Sequence, residues 1–384
     1  MNAAPETDKP LLYVGVNSVG MGHATRAVTL LEGLRPHYES HVFCRGSVRS
    51  LIARRGFRTH EIWQPEFIYA DNRLETRRSL ARLARQFPAA IRDLIALVAE
   101  IRAHRPVAVV SDYEPLTAWA AMLTGTKVVA VDNQHVVTWG QYSDEPDSAA
   151  SRASRRAVER STFWVLPHAH RVLISSFYRP PLRPGAEARG VRYVPTAVRA
   201  EVLARGDRTR SDGPVLVYQT SPTNTRLLET LGRAHRACGL CFVVYGVATP
   251  LASPPSGVAV RAFSEDGFVD DLAAAPFVIV NGGHSTITEA LALGKPVLAE
   301  PIRDQFEQST NALGLERLGV GRRTARLCVE DIVSFRRELP ALRLAAERHC
   351  RVDPDGLTLA VMETLRDFVP ARAIAPAALR GARG

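Results

Sequence analysis

The chain has 384 residues, 46% of them hydrophobic and 23% charged. That is the balance of a soluble globular protein of two or three domains, and it excludes a disordered, collagen-like or coiled-coil chain. Lys plus Arg number 49 against 39 Asp plus Glu, a formal charge of +10, which invites a polyanion partner: nucleic acid, an acidic substrate or an anionic membrane surface.

The elements follow in chain order. Residues 1–10 are polar and acidic and lack the basic start and apolar core of a signal peptide. Leu11 to Val16 is a short apolar run, as expected of a buried parallel strand. The turn Gly20-Met21-Gly22-His23 leads into a helical pattern from Ala24 to Leu34. Ser40 to Cys44 reads as a strand and Arg49 to Arg55 as a helix closed by Gly56. Leu74 to Arg105 is a long arginine-rich helix, with a break or kink expected at Pro88. Strands at Val107 to Val110 and Lys127 to Val131 flank a helix at Leu116 to Leu123.

Residues 180–212 are rich in Pro, Gly and Arg and read as a domain end and linker. The pattern then restarts, with strands at Val215 to Tyr218, Cys241 to Tyr245, Val258 to Ala262, Phe277 to Val280 and Pro296 to Glu300. Helices are expected at Asn224 to Cys238, Gly283 to Leu293 and Gln305 to Leu318. This β/α alternation predicts an α/β chain with two doubly wound, Rossmann-like domains facing across a cleft. The expected limits are 10–195, 196–370 and a flexible tail at 371–384.

Five cysteines, an odd number thinly spread, make no disulfide framework. Cys238 and Cys241 read as part of a helix end and a strand, and no second Cys/His pair stands at zinc spacing. No run of ~18 apolar residues is present to span a bilayer. The expected setting is cytoplasmic.

Ligands of such sheets lie outside the carboxyl ends of the strands, so the loops after strands carry the candidate chemistry. His23 follows the first glycine loop, which is neither a P-loop nor a dinucleotide fingerprint. Asp112 follows a strand on the same sheet edge. It can orient an imidazole that takes up a proton, or it can cap the next helix. Gly22, Glu114, Asp132 and His135 share that rim and can shape an acceptor pocket. In Asn281-Gly282-Gly283-His284-Ser285-Thr286, the exposed backbone and helix start suit a diphosphate. Glu289, one turn further on, suits ribose hydroxyls. Asp304 to Gln308 gathers amides and carboxylates able to bind sugar hydroxyls.

Together these motifs resemble the GT-B glycosyltransferases, in particular the peptidoglycan-precursor N-acetylglucosaminyltransferases and the UDP-glycosyltransferases. The phrases at Gly20 to His23, Ser111 to Pro115, Asp132 to His135, Phe263 to Asp266 and Asn281 to Ala312 carry the resemblance. It implies His23 as general base toward an acceptor hydroxyl, supported by Asp112. It implies Thr220, Ser221, Gly283, Ser285 and Thr286 around a diphosphate, His284 in the same donor-binding set, and Phe263 beside the base. It implies Glu289 on the ribose and Glu307 and Gln308 on the donor sugar. The plant signature differs at Asn281 and His284, where it has His and Trp. The implied reaction is inverting and metal-independent, from a UDP-linked donor to a small natural-product or lipid-linked hydroxyl. No cofactor beyond the sugar nucleotide is implied. A nucleotide-sugar hydrolase or epimerase is the alternative on the same fold. The resemblance also implies that a helix near Leu357 to Phe368 crosses back to the first domain. Nucleic-acid binding lacks its signature motifs. The basic amphipathic stretch from Arg73 to Arg105 suits peripheral contact with an anionic membrane.

Overall fold

The computed structural model describes residues 9–70, 72–142, 156, 159–206, 209–220, 224, 226–247, 254–262, 264–303, 305–349 and 352–368. The first half runs β1 (Leu11–Val16), α1 (Met21–Leu34), β2 (Glu39–Cys44), α2 (Gly46–Arg54) and β3 (Arg58–Glu61). A hairpin of β4 (Tyr69–Ala70) and β5 (Arg73–Leu74) precedes α3 (Thr76–His104). Then come β6 (Ala108–Asp112), α4 (Pro115–Thr124), β7 (Val128–Asp132) and α5 (His135–Trp139). Residues 159–165 form α6, followed by β8 (Arg171–Ser175), β9 (Val191–Val194) and α7 (Ala200–Leu203).

The second half runs β10 (Val215–Tyr218), α8 (Leu227–Cys238), β11 (Phe242–Tyr245), β12 (Val258–Val260), α9 (Glu265–Ala274) and β13 (Val278–Val280). It continues with α10 (His284–Ala292), β14 (Val297–Ala299), α11 (Phe306–Arg317), β15 (Gly321–Arg323), α12 (Val329–His349) and α13 (Gly356–Arg366).

These strands build two parallel sheets, ordered β3-β2-β1-β6-β7-β8-β9 and β12-β11-β10-β13-β14-β15. In each, the strand order reverses beside the first strand, between β1 and β6 and between β10 and β13. Loops leave in opposite directions there and open a crevice at the carboxyl edge. The central strands are largely apolar because helices cover both faces of each sheet; Leu12, Val42, Val110 and Val129 are buried on one sheet, and Leu216, Val243 and Ile279 on the other.

Three expectations are corrected. The stretch 180–212 is not all linker, because Val191–Val194 is the edge strand of the first sheet. Its alternating Arg192 and Tyr193 hide the apolar run, as befits an edge. The long helix is not broken at Pro88 but runs unbroken for 29 residues. Pro88 is exposed, as is Ala84, whose carbonyl loses its helical donor to the proline and is open to water instead. Finally, Asp112 does not follow its strand; it is the last residue of β6. The C-terminal helix α13 does pack on the first half. Leu357, Val361 and Leu365 share a core with Leu31 and Leu34 of α1. The tail at 371–384 lies outside the described residues.

Candidate active site

Three hydrogen bonds pin the β1–α1 loop. The Gln64 side chain accepts from Ser18 N at 2.7 Å and donates to the Val16 carbonyl at 2.8 Å. Asn17 Nδ2 donates to the Tyr113 carbonyl at 3.0 Å. Tyr113 itself takes a left-handed φ of 53°, a cost that a side chain bears only where the surroundings impose it. It separates Asp112 from Glu114 and turns their side chains to different tasks.

At the start of α1, His23 Nδ1 donates to Asp112 Oδ1 at 2.8 Å. Arg26, one turn on, grips the same carboxylate with Nε on Oδ2 at 2.9 Å and Nη2 on Oδ1 at 2.5 Å. Burial alone raises the Asp112 pKa, but the Arg26 charge and the His23 ring outweigh it and hold the acid below its ordinary value. An ionised Asp112 fixes the proton on Nδ1 and leaves the Nε2 lone pair available. That tautomer is inferred from the bonding pattern. Nε2 accepts from Gln134 Nε2 at 3.3 Å, and the same amide donates to Glu307 Oε2 at 3.1 Å.

Glu307 belongs to the second half, so this chain of contacts crosses the cleft. Asn133 Nδ2 completes it, donating to Glu307 Oε1 and to Asn311 Oδ1, each at 3.0 Å. The start of α10 meets the start of α1 directly, and Ser285 Oγ donates to the Gly22 carbonyl at 2.8 Å. A Cβ on Gly22 would stand 2.9 Å from Ser285 Oγ, so a side chain there would push the Ser285 hydroxyl out of this position. Neither helix carries a side-chain cap among the described residues, so their first-turn N–H groups lack intrahelical partners, and Gly22, His23, His284, Ser285 and Thr286 of those turns line the cleft.

His23, Gly22, Thr220, Gly283, His284, Ser285, Thr286, Glu307 and Gln308 all line this cleft. Thr220 N is held by Asn281 Oδ1 at 2.9 Å. His284 is buried and stacks on Phe177 with ring centroids 5.5 Å apart. Burial, and then the Arg26 charge, hold its ring well below the ordinary histidine pKa, so it is a neutral wall.

Other expected residues stand elsewhere. Glu114 is fully buried and caps α4, accepting from Leu116 N, Thr117 N and Thr117 Oγ1; it does not shape an acceptor pocket. Asp132 likewise turns inward and accepts from the backbone and ring of His135, both residues being buried. Their neighbour Gln134 lines the cleft instead, and the buried Asn133 holds Glu307. Glu289 gives both oxygens to Arg199, at 2.6 and 2.8 Å, and does not line the cleft. Gln308 Oε1 is engaged by Ile302 N at 2.9 Å. Ser221 and Phe263 lie outside the described residues. Arg26, Gln64, Asn133 and Gln134 were not anticipated; the i, i+3 spacing of His23 and Arg26 on one helix face was the legible signal for the first.

The comparisons with known proteins agree with this architecture. A family model described as glycosyl transferase family 1 matches residues 10–340. The chain belongs to that family. An uncharacterized glycosyltransferase of Methanosarcina mazei is 37% identical over 79 residues, 21% of this chain and 21% of that protein; the chain thus matches about a fifth of the length of this curated relative. Among solved structures, a UDP-glucosyltransferase from Polygonum tinctorium superposes with a TM-score of 0.65 at 16% identity, covering 96% of this chain and 100% of that one. MurG of Acinetobacter baumannii gives 0.57 at 13% identity, covering 94% and 99%. At such identities the likeness is one of fold, the two-domain GT-B fold of this family.

Proposed function

We propose that the protein is an inverting, metal-independent glycosyltransferase that moves a sugar from a UDP-linked donor to a hydroxyl of a small natural product or lipid-linked acceptor. One observation carries the reading: the His23–Asp112 pair stands where two uncapped helix N-termini converge, in the cleft between two switch points. The acceptor hydroxyl displaces Gln134 from His23 Nε2 and gives that nitrogen its proton. The oxygen then bonds to the anomeric carbon while the bond from that carbon to the diphosphate oxygen breaks. The helix ends meet the charge that develops on the leaving diphosphate, as fixed dipoles that need no reorganisation. Glu307, steadied by Asn133, is placed to accept from donor-sugar hydroxyls.

As it stands, the cleft holds about 90 Å³, below the ~300–1,000 Å³ of small-molecule sites. The halves therefore separate to admit donor and close again to exclude water. No helix among the described residues is long and apolar enough to cross a membrane. We assign the arginine-rich α3 to contact with an anionic lipid surface.

A melting-temperature screen of nucleotide sugars identifies the donor, since ligands that bind only the folded state raise the transition. UDP release is then followed with and without added hydroxyl acceptors. His23→Ala is expected to lower transfer by about 10²–10⁴-fold with the donor-induced melting shift intact. Rapid, acceptor-independent cleavage by the wild-type chain would make it a hydrolase, and an undiminished His23→Ala rate would overturn the base assignment.

A further inference from the structure

A second cavity lies across Asn281 from the catalytic cleft. It holds about 700 Å³, well within the ~300–1,000 Å³ of small-molecule sites. Its walls come from the first turns of α8, the end of β14 and the segment joining β15 to α12, with Asn72 of the β4–β5 turn on one side. It shares no lining residue with the cleft. Asn281, fully buried, is the partition. On the cleft side its Oδ1 holds Thr220 N at 2.9 Å; on the other its Nδ2 donates to the Glu300 carbonyl at 3.1 Å and reaches Asn72 Oδ1 at 3.5 Å.

The chemistry of this cavity differs at its rim and its floor. Arg226, Arg233 and Arg326 bring to the rim guanidiniums that make no hydrogen bond or close ion pair among the described residues. Arg303, which has partners of its own, also lines the cavity. The exposed carboxylates Glu229 and Glu330 offset part of that charge. α8 begins there without a side-chain cap; the Leu227 N–H is taken by the Asn224 carbonyl at 3.4 Å, and the helix start places the positive end of its dipole at the rim. At the floor, Glu300 is only 5% exposed and accepts from Asn224 Nδ2 at 3.2 Å. Burial raises the Glu300 pKa, against the Leu327 backbone, Asn224 and the Arg303 charge, and this reduces its repulsion toward an anion. Guanidiniums beside a helix start suit a phosphate. A buried acid beside an amide suits hydroxyl groups, which both donate and accept.

We propose that this cavity binds a sugar monophosphate, with the phosphate at Arg226, Arg233 and Arg326 and the hydroxyls on Glu300 and Asn224. The site is separate from the donor cleft and independent of which donor that cleft takes. It also touches both halves of the molecule. Asn72 comes from the first half, and the hairpin that carries it is stitched to the second by Arg303 N on the Asn72 carbonyl at 2.9 Å and by Leu74 N on the Arg303 carbonyl at 3.3 Å. An occupied cavity therefore favours the closed arrangement, and the ligand acts as an effector of the cleft.

The test is isothermal titration of the full chain with glucose 1-phosphate and with glucose 6-phosphate, each with and without UDP. Inorganic phosphate and glucose serve as comparison ligands. Saturable binding of at least one sugar phosphate is expected with a dissociation constant below about 1 mM. The comparison ligands are expected to bind at least about tenfold more weakly. The double variant Arg226→Ala/Arg233→Ala changes only exposed residues and is expected to weaken that binding by about tenfold or more. Its UDP-induced melting shift is expected to match that of the wild type, which reads the donor site separately. Three results overturn the proposal: no binding of either sugar phosphate up to about 10 mM, inorganic phosphate binding as tightly (an adventitious ion only), or displacement of the sugar phosphate by UDP.

Discussion

Asp112 serves two partners, and the second changes what the first can do. With Arg26 on both oxygens and His23 on one, the carboxylate stays ionised in a site where burial opposes it. Asp112→Asn replaces the carboxylate that fixes the His23 tautomer with a neutral amide, whose NH2 can donate to the ring instead, and leaves the buried Arg26 charge unmatched. Initial rates are expected to fall by about 10²–10⁴-fold, and stability in denaturant titration by about 3–5 kcal/mol. A variant that kept both would show that the dyad does not exist. Position on a strand end and the helix-start histidine made this pair legible, whereas Arg26 shows in the sequence only through its i, i+3 spacing from His23. Glu114 misled for a different reason. Long glutamates are not the usual N-cap, and only the Pro115 that follows, at the first helical position, marks the role. Its burial pushes the Glu114 pKa up to about 7, despite three hydrogen bonds from Thr117 and Leu116. The folded state thus keeps a proton that the unfolded chain, at the ordinary value of 4.5, has lost. The stabilisation from that proton is present below about 4.5 and is lost as pH rises through about 7. Glu114→Gln, which cannot titrate, is expected to flatten the fall in melting temperature between those limits. A wild-type melting curve that rises across the same window would contradict the assignment.

Elements, more than single residues, decide where the site sits. The glycine loops before α1 and α10 were legible because both place Gly just ahead of an apolar-periodic helix. That the two helices touch through Gly22 and Ser285 was not, because the contact joins residues far apart in sequence. The edge strand β9 was lost in a Pro/Gly-rich stretch, and β15 is too short to carry a period. α3 shows how an amphipathic pattern with two apolar stripes reads. One stripe, Ala90, Leu97 and Ile101, is buried. The other, Leu80, Phe87, Ile91 and Ile95, faces outward at 60%, 62%, 39% and 66% exposure, spaced as i, i+7, i+11 and i+15 on one side of the helix. Exposed arginines at 77, 78 and 85 flank it. Apolar side chains beside cations match an anionic interface. Each arginine near such a surface adds about 1 kcal/mol, so Arg77→Glu/Arg78→Glu/Arg85→Glu is expected to lower sedimentation with phosphatidylserine vesicles by about 100-fold or more. Equal sedimentation of the unaltered chain with neutral and anionic vesicles would remove α3 as a docking helix.

At the scale of the whole molecule, the +10 charge first suggested a polyanion partner, yet few of these charges stand at the cleft. They lie along α3 and around the second cavity, while Arg26 and Arg199 are each consumed by a carboxylate. Two Rossmann-like patterns were readable because buried parallel strands leave short apolar runs, and the cleft between them followed from the carboxyl-edge rule. The return of the chain was not readable from periodicity, which gives a helix its apolar face but not the surface that face meets. α13 finds α1. Gly33 has so little room that a Cβ there would lie 2.5 Å from Thr358 Oγ1, and Leu357, Val361 and Leu365 are at most 1% exposed. The last helix therefore completes the first core and ties the two halves together. Leu365→Ala removes a fully buried side chain and is expected to cost about 2–5 kcal/mol. Ending the chain at Asp355 uncovers the α1 face altogether. In calorimetry the shortened chain is expected to lose or lower the transition of the first half, while the UDP-induced shift of the second half weakens because the cleft is no longer held in register. A shortened chain that melted and bound UDP like the intact one would mean that α13 only rests on the first half, and the tether would have to be sought in the β4–β5 hairpin instead.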